Sequence, residues 1–146
     1  MMPKIQFCEG YEKMDFDKVT AMLTNAYWSK GIEKDEVMQG AANSALVVGI
    51  FIDNEQIGYA RAISDKTRVA YISDVYVDEP YRNQGIGVRI VEYILNHKSL
   101  LDVYVWMLAT RDAHSLFATF GFQPLAKPEG LLALRRVRSD FNRQTL

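Results

Sequence analysis

Residues 72–95 read ISDVYVDEPYRNQGIGVRIVEYIL. An apolar run with strand-like spacing passes into a turn carrying Pro80, Arg82, Gly85 and Gly87, and an apolar stripe at helical spacing follows. The full run VAYISDVYV (69–77) predicts a strand. Ile86, Ile90, Val91, Ile94 and Leu95 share one helical face, with Arg89, Glu92 and Asn96 opposite. VYVWMLA (103–109) comes next and is apolar on both faces. Strand, helix and doubly apolar run together predict a right-handed crossover to a parallel, buried strand.

Upstream, ALVVGIFI (45–52) and QIGYARAI (56–63) are separated from each other and from 69–77 by short polar turns, which predicts an antiparallel meander. KIQFC (4–8) reads as a first strand. Asp15 is a candidate N-cap for a helix whose apolar face is Phe16, Val19, Leu23, Ala26 and Tyr27, and a weaker helical segment spans 33–42. Downstream, RDAHSLFATFGF (111–122) spaces Ala113, Leu116, Phe117 and Phe120 as a short amphipathic helix with Gly121 as its cap. LLALRR (131–136) is expected to close the sheet as a last strand, with SDFNRQTL (139–146) a polar tail. The expected organisation is one domain over 1–146.

The composition narrows the function. Seventeen basic against eighteen acidic residues leave a net charge of -1, which gives no electrostatic reason to expect nucleic acid or an anionic membrane as partner. The longest apolar run, 45–52, is far short of the roughly 18 residues of a membrane span, and the N-terminus lacks a signal-peptide pattern, so a cytoplasmic location is expected. Cys8 is the only cysteine and reads as a small buried hydrophobe. His97 and His114 have no partner at metal-ligand spacing, so no metal is expected.

The chemistry concentrates at residues 82–88. The first turn of a helix exposes backbone N–H groups without internal partners, and the dipole adds partial positive charge there, so an anion is stabilised. Gly85 and Gly87 uncover those groups, and Arg82 adds a charged fork suited to phosphate oxygens. A diphosphate fits. The dinucleotide fingerprint G-x-G-x-x-G fails because position 90 is Ile, and the P-loop fails because no Lys and Ser/Thr pair follows. A glycine turn that merely lets a helix pack closely would explain Gly85 and Gly87 but not Arg82.

The pattern that does match is R-x-x-G-x-G, here Arg82-Asn83-Gln84-Gly85-Ile86-Gly87, preceded by ISDVYVDEPY and followed by TRDAHSLFATFGFQPL (110–125). These two motifs, with the order of elements, resemble the GNAT superfamily of N-acetyltransferases over most of the chain. The resemblance implies an α+β fold with a central, mostly antiparallel mixed sheet, helices on both faces and a splayed pair of parallel strands. It implies acetyl-CoA as co-substrate, its pyrophosphate held by backbone N–H groups of Arg82, Asn83, Gln84, Gly85, Ile86, Gly87 and Val88. Its pantetheine arm would pair with the backbone of Val75, Tyr76 and Val77. The acceptor implied is a primary amine of a small molecule or peptide, attacking directly in a ternary complex. A homodimer through sheet edges or C-terminal strands is compatible with the resemblance.

Two positions depart from the family pattern. Phe117 stands where many members carry a tyrosine as general acid, and it is expected to pack against the pantetheine end instead. Ser73 replaces the first of an acidic pair, leaving Asp74 as candidate at the acceptor end. Tyr76 and His114 are the nearest polar groups by sequence, and Tyr76 is the candidate taken with Asp74 for the chemistry. Tyr27 and Trp28, in the loop after the first helix, suit an amine with an apolar or cationic body. The competing expectation is a CoA-binding sensor or interaction module of the same fold with lost or vestigial catalysis.

Overall fold

The computed structural model describes residues 4–136. Its strands are β1 (Gln6–Glu9), β2 (Leu46–Ile52), β3 (Glu55–Ser64), β4 (Val69–Val77) and β5 (Val105–Met107), in the order β1-β2-β3-β4-β5. The first four pair antiparallel, and β5 pairs parallel with β4. The β2–β3 hairpin turns on Asp53 and Asn54, both at positive φ (49° and 67°), a conformation that Asp and Asn tolerate and that matches strand twist.

Alternation along the strands sorts side chains to two faces. Val48 and Ile50 of β2 and Ala60 and Ala62 of β3 meet the stripe Ile86, Ile90, Val91 and Ile94 of helix α3 (Ile86–Leu95). Each such aliphatic side chain contributes about 1.5–3 kcal/mol when fully buried. Val47 and Tyr59 face the other way, against α1 (Phe16–Thr24) and α2 (Lys34–Ala42). The sheet therefore carries helices on both faces. Asp15 caps α1 as expected, accepting from the backbone N–H of Lys18 at 3.2 Å, while its own N–H donates to the buried Gln56 side chain at 2.8 Å and ties the helix start to β3.

Three expectations are corrected, and that of a short helix with Gly121 as its cap holds over a narrower span. Helix α1 ends at Thr24, so Ala26 and Tyr27 lie in the following turns rather than on its face. There the Thr24 hydroxyl donates to the Ile32 carbonyl and the Ser29 hydroxyl to the Leu23 carbonyl, folding the chain back. Strand β5 is parallel but not buried: it is three residues long, lies at the sheet edge, and leaves Val105 43% exposed. Helix α4 is the short span His114–Ala118, followed by Gly121 at φ 95° with its N–H on the Ala118 carbonyl. Residues 131–136 form no strand: Leu132 and Leu134 are 88% and 81% exposed, and no ladder partner stands beside them among the described residues. The polar tail 139–146 lies outside the described residues. Among the described residues, no helix is long and apolar enough to cross a membrane, and no cluster of potential metal ligands occurs.

Candidate active site

Strands β4 and β5 share only three residue pairs, Val69↔Val105, Ala70↔Trp106 and Tyr71↔Met107. Beyond Tyr71 the ladder ends and the strands part. The cause lies on the opposite edge of β4, where Tyr59 pairs with Tyr76 but Arg61 with Ser73, so that Ala60 opposes both Asp74 and Val75. This is a β-bulge, which bends and twists the strand that carries the extra residue. Asp74 absorbs the bend at φ 59°. The extra residue also shifts the alternation: Ala70 and Ile72 pack on the α3 face before it, Val75 and Val77 on that same face after it. Asp74 and Ser73 are left on the cleft side.

Asp74 is held from two directions. Its Oδ2 accepts from Arg61 Nε at 2.7 Å and its Oδ1 from the Trp28 indole N–H at 2.8 Å, with the Asp74 and Arg61 side chains only 11% and 19% exposed. Arg61 Nη1 is placed by the Ser44 hydroxyl at 3.2 Å and the Gly40 carbonyl at 3.4 Å. The Tyr59 hydroxyl, wholly buried on the same face, has no partner among the described residues. Burial, and then the Asp74 carboxylate, push its ionisation up.

A cleft of about 500 Å³ opens here. One wall is Tyr27, Trp28, Glu36, Arg61, Tyr71, Ser73, Asp74 and Val75; the other is Leu108 to Ala113 with Leu116 and Phe117. The Arg111 guanidinium lies 3.8 Å from the centre of the Tyr27 ring, and the Arg111 backbone N–H donates to the Tyr27 hydroxyl at 3.1 Å. The ring face expected to receive a cationic acceptor is thus covered. Phe117 is buried against Phe122 and the α3-side core while forming part of the wall. Burial first, and then the Asp74 carboxylate, raise the ionisation of Tyr71. Its hydroxyl keeps its proton at neutral pH.

Beyond the outer end of β4, Gly85 caps α3 in the left-handed conformation (φ 80°), with no side chain bonded to the helix start. A Cβ at Gly85 or Gly87 would meet nothing within 4 Å, so the approach to the first-turn N–H groups is open. Asn83 also takes positive φ, at 63°. Arg82 turns back over β4: its Nε donates to the Val77 carbonyl at 2.7 Å, and its guanidinium lies 5.1 Å from the centre of the Tyr76 ring.

The structure therefore brings Tyr27, Trp28, Asp74, Val75 and Phe117 to one cleft. Tyr76, Val77 and the residues from Arg82 to Val88 do not line it. Tyr76 packs instead toward α1 and α2, beneath Arg82, and His114 is an exposed residue of α4. Arg61, Tyr71, Glu36, Thr110, Arg111 and Asp112 belong to the cleft and are not found by reading motifs. The signal for the first two was the shift of apolar phase from 70 and 72 to 75 and 77, which marks the bulge.

The sequence model of the Acetyltransferase (GNAT) family matches residues 15–122. The chain belongs to the GNAT acetyltransferase family. This GNAT chain is 31% identical to a GNAT-family protein of known structure from Xanthomonas campestris pv. campestris, with a TM-score of 0.86 over 94% of this chain and 96% of that one. It is 30% identical over 127 residues to GCN5-related N-acetyltransferase 2, chloroplastic, of Arabidopsis thaliana, covering 84% of this chain and 48% of that protein. Histone acetyltransferase TAP1 of Glycine max is 29% identical over 126 residues, covering 84% and 49%. The chain spans about half the length of these two curated relatives.

Proposed function

We infer that this GNAT protein transfers an acetyl group from acetyl-CoA to a primary amine of a small molecule or peptide, in a ternary complex. The observation that carries this reading is the parting of β4 from β5 at Tyr71, with an uncapped, glycine-opened helix start beyond the far end of β4. The space at Gly85 and Gly87 and the unpartnered first turn of α3 suit a diphosphate. The backbone of residues 72–77, without a ladder partner on its β5 side among the described residues, suits an extended arm of amide and carbonyl groups.

Acetyl-CoA supplies an acyl thioester. The acceptor nitrogen forms the new C–N bond as the C–S bond breaks; the nitrogen gives up a proton and the leaving thiolate takes one. Backbone N–H groups of β4 near the bulge can polarise the carbonyl, an effect worth about 10²–10³ in rate per donor. Phe117 has no proton to give, whereas Tyr71 holds one on the cleft wall. Asp74 serves to orient, since both its oxygens are engaged by Arg61 and Trp28.

That engagement, with Phe117, also favours a second reading, a CoA-binding module without turnover. One pair of measurements separates the two. Acetyl-CoA at a hundred times its dissociation constant should stabilise the fold by about 2.7 kcal/mol, a rise in melting temperature of roughly 5–10 °C. Free thiol should then appear with at least one member of a panel of amines, about a hundredfold more slowly in Tyr71→Phe. A melting shift without thiol release selects the sensor, and no shift at all rejects both.

A further inference from the structure

The cleft holds two arginines, and they are not equivalent. Arg61 is matched by Asp74 and half-buried behind it. Arg111 is exposed, yet it is anchored twice on Tyr27: its guanidinium lies at van der Waals distance over the ring, and its backbone N–H is bonded to the hydroxyl. Tyr27 in turn packs edge-on against Trp28 at 5.0 Å, and Trp28 is fixed to Asp74. Three successive contacts therefore set Arg111 at a defined place relative to the floor of the cleft. No carboxylate lies within ion-pair distance of it among the described residues, although Asp112 is its neighbour in sequence.

A guanidinium that stacks by its face keeps N–H donors along its edge, a fork that fits a planar carboxylate or a phosphate. The other charges choose between them. On the lining Arg61 is matched by Asp74, and Arg111 stands beside Asp112. A doubly negative phosphate would bring more negative charge to that end of the cleft than a single guanidinium balances. A single carboxylate on a molecule that also bears an amine would not.

We propose that the acceptor is an aminocarboxylate, its carboxylate received by Arg111 and its amine directed toward the Asp74 end of the cleft. This rests on the acetyltransferase reading given above. The cleft volume of about 500 Å³ suits a small molecule of that kind. Arg111 is then a specificity-determining residue that touches the acceptor away from the reacting nitrogen.

The test uses ω-aminocarboxylates of several chain lengths, each paired with its carboxamide so that the two differ in one charged group. Thiol release from acetyl-CoA is followed for the wild-type protein and for Arg111→Ala and Arg111→Lys. The wild type should favour the carboxylate member by about tenfold or more in kcat/KM, carried by KM, as one good charged contact gives. Arg111→Ala should erase that preference, the carboxylate members losing more than their carboxamides, and Arg111→Lys should restore part of it. Without acetyl-CoA, the Trp28 indole N–H resonance should shift on titration with the preferred aminocarboxylate and stay still in Arg111→Ala. Thiol release indifferent to the carboxylate, or an Arg111→Ala loss equal for both members, overturns the assignment. No thiol with any amine, while acetyl-CoA still binds, overturns the acetyltransferase reading itself.

Discussion

Asp74 sits at φ 59°, a region where Asp and Asn are tolerated and other side chains are strained. Its carboxylate is also the counter-ion of a largely buried arginine. The two roles can be separated by substitution. Asp74→Asn keeps the backbone preference and an oxygen for Trp28 but strands the Arg61 charge, at a cost of about 2–4 kcal/mol. Asp74→Ala should cost about 1 kcal/mol more, for the left-handed backbone. Urea unfolding would check the order, and equal stabilities of the two variants would show that the bend carries no strain. Asp74 was singled out in the sequence and stands in the cleft; its partner was not legible. Arg61 precedes it by thirteen residues, and their meeting depends on Ala60 opposing two residues of β4, which no motif records. The cover over Tyr27 was equally invisible, because Arg111 arrives from the loop beyond β5.

Among the elements, those with a strong period were readable. The stripe of α3, the cap of α1 and the meander stand where alternation and spacing put them, because burial on one side enforces those periods. Apolar runs without a period were misread. VYVWMLA and LLALRR have the composition of buried strands, but burial needs a neighbour: among the described residues β5 has one on a single side for three residues, and 131–136 has none in the sheet. The start of α3 yields a prediction in which two measurements move in opposite directions. Gly87 lies in the first turn, where a side chain would meet nothing. Gly87→Asp removes a helix-interior glycine and places negative charge at the positive end of the dipole, so folding stability should hold or rise by about 0.5 kcal/mol. The same carboxylate would occupy the anion's place, and acetyl-CoA affinity should fall more than about tenfold by calorimetric titration. Loss of both together would instead indicate a disturbed helix start.

At the scale of the whole molecule, the chain's beginning is tied to the end of α3. Glu9 of β1 accepts from the Tyr93 hydroxyl and faces His97 Nε2 at 2.9 Å, while His97 Nδ1 accepts from the Ser99 backbone N–H. The Tyr93 hydroxyl first, then His97 and Lys98, hold the Glu9 carboxyl below its ordinary value near 4.5. Burial and the same contact push Tyr93 up to about 12. A carboxylate with a depressed folded value adds stability above its unfolded pKa and loses it as pH falls through the folded one. Glu9→Gln should therefore be less stable than wild type at neutral pH, with the gap closing below about pH 4.5 in melts taken across that range. A gap constant with pH would mean that packing, not charge, makes the clasp. On the far side of the sheet, the three-pair ladder between β4 and β5 has a different consequence. Past that short ladder the outer backbone of β4 is free to take an extended chain alongside it, so that a ligand bound there would join the weave as thread rather than cargo. The stiffness of that rim would then depend on the company it keeps.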